Sequence, residues 1–115
     1  MALNDTILNI GNAAAQTAMT HAQIHTAQPN ASGSAEAACA RQAITWVTAA
    51  NGDMVITADL VFTGGASSGA ATHIGFWSAV TTGTFYGWLA LTGDQTFNAA
   101  GEYTVTGVTI TGTAS

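Results

Sequence analysis

The chain has 115 residues and carries seven charged side chains, six acids and Arg41, for a formal net charge of −5 with no lysine. One arginine cannot neutralise a row of phosphates or an anionic membrane surface, and so few ionisable groups leave little material for acid–base catalysis. Nucleic-acid and membrane partners are therefore excluded, and the composition points to a structural or binding role.

The acids, Asp5, Glu36, Asp53, Asp59, Asp94 and Glu102, are spread along the chain. The surface must then be neutral, short-armed and rich in Thr, Ser, Asn, Ala and Gly. Copies of such a surface can approach without desolvating long charged side chains, which favours self-association or docking on a partner. The length suits a single domain over 1–115, with a helical arm over 1–20 and a β-sandwich over 21–115. Cys39 stands alone, so no disulfide within the chain and no multi-cysteine zinc site is expected. No apolar run approaches membrane-spanning length, and no base precedes the first apolar residues, which makes cytoplasmic synthesis the expectation.

In chain order, Leu3, Ile7, Ile10, Ala14 and Ala18 recur at three- and four-residue intervals. Asn4 or Asp5 is placed to cap, and an amphipathic helix of about four turns is predicted. Near Thr20 the period becomes two, with Ala22, Ile24 and Thr26 opposing His21, Gln23 and His25, and the strand ends at a Pro29-Asn30 turn. Residues 28–38 are small and polar and read as an exposed loop that orders against a neighbour.

From Gln42 the chain reads as short antiparallel strands of a sandwich or barrel. Ile44, Trp46 and Thr48 share a face. Asn51-Gly52 signals a hairpin into the segment where Met54, Ile56, Ala58, Leu60 and Phe62 alternate with Val55, Thr57, Asp59 and Val61. Gly64 to Gly69 reads as a hairpin loop; without a following lysine it is no phosphate cradle. Ile74 and Phe76 alternate with His73, Gly75 and Trp77. After Thr82-Gly83, Phe85, Gly87, Leu89 and Leu91 alternate with Tyr86, Trp88 and Ala90. Both faces carry aromatics there, one for the core and one for an interface. The last strand, 102–112, changes phase at Gly107, which is read as a bulge.

No catalytic, cofactor or metal constellation emerges. His21 and His25 on a strand lie about 13 Å apart and cannot share an ion. His73 with Asp59, beside Ser67, Ser68 or Cys39, has no supporting spacing. Trp77, Tyr86 and Trp88 suit subunit packing, with sugar stacking as the alternative. Arg41, the sole strong base, is an expected buried partner for a carboxylate. The expected interface residues are Leu3, Ile7, Arg41, Trp77, Tyr86 and Trp88.

Five blocks in order, Ala2-Leu3-Asn4-Asp5-Thr6 with Leu8-Asn9, His25-Thr26-Ala27 with Pro29, Ala40-Arg41-Gln42-Ala43 with Thr45-Trp46, Thr72 to Ala79, and Gly83 to Gly87, resemble the small structural proteins of tailed bacteriophages, chiefly those of actinobacterial hosts. Members are variously head-decoration, minor tail or tail-fibre proteins. The resemblance implies a non-enzymatic virion component that binds the major capsid protein or tail proteins and copies of itself. Compactness and the neutral surface favour capsid decoration. The alternative is a tail or tail-fibre protein that contacts host glycans.

Overall fold

The computed structural model describes residues 5–111. The protein is mainly β with one short helix, and its elements are α1 (Asp5–Ala18), β1 (His21–His25), β2 (Gln42–Ala43), β3 (Val47–Ala50), β4 (Asp53–Ile56), β5 (Leu60–Phe62), β6 (His73–Trp77), β7 (Phe85–Ala90), β8 (Tyr103–Val105) and β9 (Val108–Thr111). The strands form sheets ordered β2-β1-β6-β7, β3-β4-β9 and β5-β8. Every pairing is antiparallel, as the short, turn-separated alternating segments imply.

The hairpin β3–β4 turns at Asn51 and Gly52, both with positive φ, the conformation that an Asn-Gly pair adopts most readily. The alternating segment after it keeps its phase except at Ala58, which is exposed where the chain breaks: Met54, Ile56, Leu60 and Phe62 are buried and Thr57, Asp59 and Val61 are exposed. It is nonetheless two strands. β4 pairs with β9 up to Ile56↔Val108, and β5 pairs with β8 from Leu60↔Val105. Thr57, Ala58 and Asp59 thus stand opposite Thr106 and Gly107, so the extra residue lies across from Gly107 and not at it. The phase change at Gly107 marks this common break in both strands. Gly64 to Gly69, expected as a hairpin, instead links β5 and β6 of different sheets and is tied to the 95–101 segment by Gly65 N–H to Gly101 O, Ser68 N–H to Asn98 O and Phe97 N–H to Gly69 O.

One core joins the sheets. Ala22, Ile24, Ile74 and Phe76 of the four-stranded sheet cluster with Met54, Ile56, Leu60, Phe62 and Val105 of the other two. Ile44 and Trp46, expected on one strand with Thr48, lie between β2 and β3 and pack against this core, where the Trp46 indole N–H donates to Met19 O at 2.8 Å.

The helix has the expected period but the opposite face turned inward. Leu8, Asn9, Asn12, Ala15 and Gln16 are half-buried, whereas Ile7, Ile10 and Ala14 of the expected stripe are exposed and its Ala18, in the last turn, is half-buried. The reason is polar. The hairpin presents peptide groups that need partners, and the helix supplies them: Asn9 Oδ1 accepts from Gly52 N–H at 2.9 Å, Asn12 Nδ2 donates to Gly52 O at 2.8 Å, and Gln16 Nε2 donates to Val47 O at 2.9 Å. Leu3 lies outside the described residues.

Candidate functional site

β1 and β6 are buried on both faces from their second residue onward. The inner face is core. The outer face presents His25, Gly75, Trp77 and Phe85, and the segment 26–41, whose residues 28–38 are expected to order against a neighbour, folds over it. Thr26 N–H donates to Ala35 O at 2.8 Å and Ala37 N–H to Ile24 O at 2.9 Å, so the loop pairs with the end of its own strand. Asn30 closes the tip: its Oδ1 accepts from the amides of Ser32 and Ser34, an Asx-type turn that suits Asn. Gly33 sits directly on the aromatic layer with φ +81°, where a Cβ would stand 2.5 Å from the Trp77 ring. Glycine is required there for space and conformation alike.

Arg41 fastens the other end. Its Nε donates to Glu36 Oε1 at 2.9 Å, and one terminal nitrogen donates to Ala79 O at 2.9 Å and Thr82 O at 2.6 Å. The carboxylate expected opposite the sole arginine is therefore in the same chain, and the guanidinium also ties the loop to the β6–β7 turn. His25 is fully buried beneath. Its Nδ1 lies 2.8 Å from Ser34 O and must carry the proton, which leaves Nε2 to accept the Trp77 indole N–H at 3.4 Å. Burial lowers its pKa, with His73 and Arg41 adding and the Ser34 carbonyl and Glu36 opposing, and the ring is held neutral. Cys39 is likewise structural: its thiol donates to Gln23 Oε1 at 2.9 Å, and burial raises its pKa, which removes thiolate character.

Beyond the loop, the outer face opens. Phe76 pairs with Gly87 but Trp77 with Phe85, so Tyr86 is the unpaired residue of a bulge. Tyr86 and Trp88 are exposed, and Trp88 meets His73 edge-to-face with centroids 5.0 Å apart. A cleft of about 280 Å³ runs between Pro29–Ala31 and Phe85–Trp88. His73 bonds Thr72 Oγ1 at 2.8 Å, whereas Asp59 is exposed at the break between β4 and β5. Among the described residues, no three His, Cys, Asp or Glu side chains gather where they could hold a metal.

Of the expected interface residues, Ile7, Tyr86 and Trp88 are exposed, while Arg41 and Trp77 are buried within the chain. Sequence reasoning missed His25, Gly33, Asn30 and Glu36. The signal for Glu36 was present: the only strong base lies five residues away across a short bend of small residues. The two buried faces of β1 and the Gly33 position carry no comparable mark, because a loop covering its own sheet leaves no periodicity.

No curated protein and no solved structure matches the chain significantly. A family model does, over residues 2–113, and its description is podophage GP4 fiber I protein gp80. A match of that extent joins this antiparallel β fold to a phage fibre family: the chain belongs to the podophage GP4 fiber I protein family and is a structural component of a phage virion.

Proposed function

We propose that the chain is a non-enzymatic building unit of a tail fibre, attached to neighbouring copies or to other tail proteins through the outward face of α1. The observation that carries this reading is the inverted helix. Ile10 is 62% exposed while two asparagines turn inward to bond Gly52, which leaves the apolar stripe uncovered in the isolated chain. Short helices are marginal in water, so a stripe kept apolar on the outside favours a partner there. The non-enzymatic role rests on the fate of the reactive groups: Arg41, His25 and Cys39 are all committed to internal contacts. Arg41 and Trp77 act on any interface indirectly, by fixing the loop from beneath.

Capsid decoration is the second reading. It is favoured by the scattered acids and short-armed neutral surface, which suit a protein repeated beside the major capsid protein. The family description favours the fibre.

The test combines Ile10→Glu with quantitative composition of purified particles. The expected result is a handful of wild-type copies per particle, located at the tail, with the variant folded but absent from particles. Hundreds of copies would move the protein to the capsid lattice, and normal incorporation of the variant would remove the helix from the interface.

A further inference from the structure

The geometry points to the cleft between the Asn30 turn and β7 as a binding site for a neutral saccharide ring. Its walls are two aromatic side chains that the fold holds outward by separate devices. Tyr86 is turned out by the bulge opposite Phe76 and Trp77, the usual way a strand re-aims one side chain. Trp88, two residues on, is fixed by its edge-to-face contact with His73. Together they offer flat apolar surface beside polar edges, which complements a pyranose ring, whose C–H face is apolar and whose rim is hydroxylated.

The opposite wall supplies the polar group. Asn30 Oδ1 is occupied by the Ser32 and Ser34 amides, so the side chain's remaining capacity is the pair of Nδ2 hydrogens, which bond no acceptor among the described residues. Pro29 is buried, and the turn is anchored through Gly33 on Trp77 and Ser34 on His25. The wall is thus built before any ligand arrives, which lowers the ordering cost of binding.

Size and charge narrow the occupant. About 280 Å³ lies just under the roughly 300–1,000 Å³ of drug-sized ligand sites and suits one or two sugar rings. A protein partner needs about 800 Å² on each side, far more than this cleft offers. No ionisable group but the Tyr86 phenol lines it, so neither a phosphate nor a sialic-acid carboxylate finds a cation there. The inference does not depend on where in the virion the chain sits.

The full chain is titrated, by saturation-transfer NMR, with the methyl glycosides of glucose, galactose, mannose, rhamnose and N-acetylglucosamine, with sialic acid as the charged comparison. At least one neutral glycoside is expected to receive saturation, and its affinity to fall about tenfold or more in Trp88→Ala, the loss of about 1.4 kcal/mol of contact. Asn30→Asp keeps the oxygen that holds the turn and removes the donor; it is expected to weaken binding similarly in a chain whose circular dichroism is unchanged. Ile10→Glu is expected to bind as the wild type, and Asn30→Asp to enter particles normally, so this reading and the assembly reading fail separately. Transfer to no neutral glycoside, transfer that survives both cleft variants, preference for sialic acid, or Tyr86 and Trp88 resonances that broaden with protein concentration because a second copy covers them, would each overturn the assignment.

Discussion

The guanidinium carbon of Arg41 lies 3.7 Å from the centroid of the Trp77 ring. Trp77 in turn lies parallel to His25, with 1° between the planes and 6.2 Å between centroids. The only strong cation in the chain is thus spent on an aromatic layer inside its own fold. A planar guanidinium can stack and donate at once, and Arg41 does both, bonding Glu36, Ala79 and Thr82 in its own plane while its face rests on the indole. This arrangement converts residues 26–41 from a small polar loop into the roof of a sheet.

Arg41→Ala is therefore expected to destabilise by about 2–4 kcal/mol, somewhat less than the roughly 3–5 kcal/mol for a fully buried pair, because the Glu36 side chain is 34% exposed. Arg41→Lys should recover little, since an ammonium cannot stack and reach three acceptors together. Glu36→Gln, which keeps an acceptor for Nε, should cost under about 1 kcal/mol. Urea unfolding measures all three; a loss in Glu36→Gln as large as that in Arg41→Ala, with Arg41→Lys near the wild type, would mean that the ion pair alone matters.

Stability should fall as the pH drops from 7 to 5. His25 has an ordinary value of 6.5 and a lower one in the fold, chiefly through burial. Below 6.5 the unfolded chain binds a proton that the folded chain refuses, so stability declines by up to about 1.4 kcal/mol per pH unit until the folded value is reached. Above 6.5 both states are neutral and the contribution is complete. His25→Gln is expected to be less stable at pH 7 and to lose this slope; an unchanged slope would assign it to other groups.

The sequence was most legible where one face of a strand meets one core. The burial phase of Met54 to Phe62 and the Asn51-Gly52 turn follow directly from alternation and turn chemistry. What alternation does not encode is the partner strand, so the break between Ile56 and Leu60 and the matching break at Gly107 were read as one strand and one bulge. In the helix the period was visible and the inward face was not. Hydrophobicity favoured Ile7 and Ile10, but Asn9 and Asn12 answer the peptide groups of a turn 40 or more residues away. In the site, Arg41, Tyr86 and Trp88 stood out by type, whereas His25 and Gly33 owe their roles to a loop folding back on its sheet.

The two faces of the broken strand should respond differently. Ile56 and Leu60 are buried in the cluster shared by the sheets, and truncation of either to Ala is expected to cost about 2–5 kcal/mol. Thr57→Ala, at the exposed break, should stay within about 0.5 kcal/mol. Chemical denaturation of the free chain distinguishes them. A large loss from Thr57→Ala would indicate that the break itself is held by that side chain.

The helix offers the sharpest contrast between sequence pattern and structure. Asn9 and Asn12 bond the two backbone polar groups of Gly52, one accepting from its N–H and the other donating to its C=O. Each Asn→Ala change should cost about 0.5–1.5 kcal/mol, the net worth of one such bond, and the pair should be non-additive because both act on one residue. Ile10→Ala removes more apolar surface but leaves the free chain within about 0.5 kcal/mol, since the side chain is exposed and Ala is the better helix former. Amide exchange gives an independent reading: the Gly52 N–H should lose protection in Asn9→Ala and keep it in Ile10→Ala. If Ile10→Ala proves the more damaging in the free chain, the apolar stripe packs inward after all, and the case for an outward docking face falls with it.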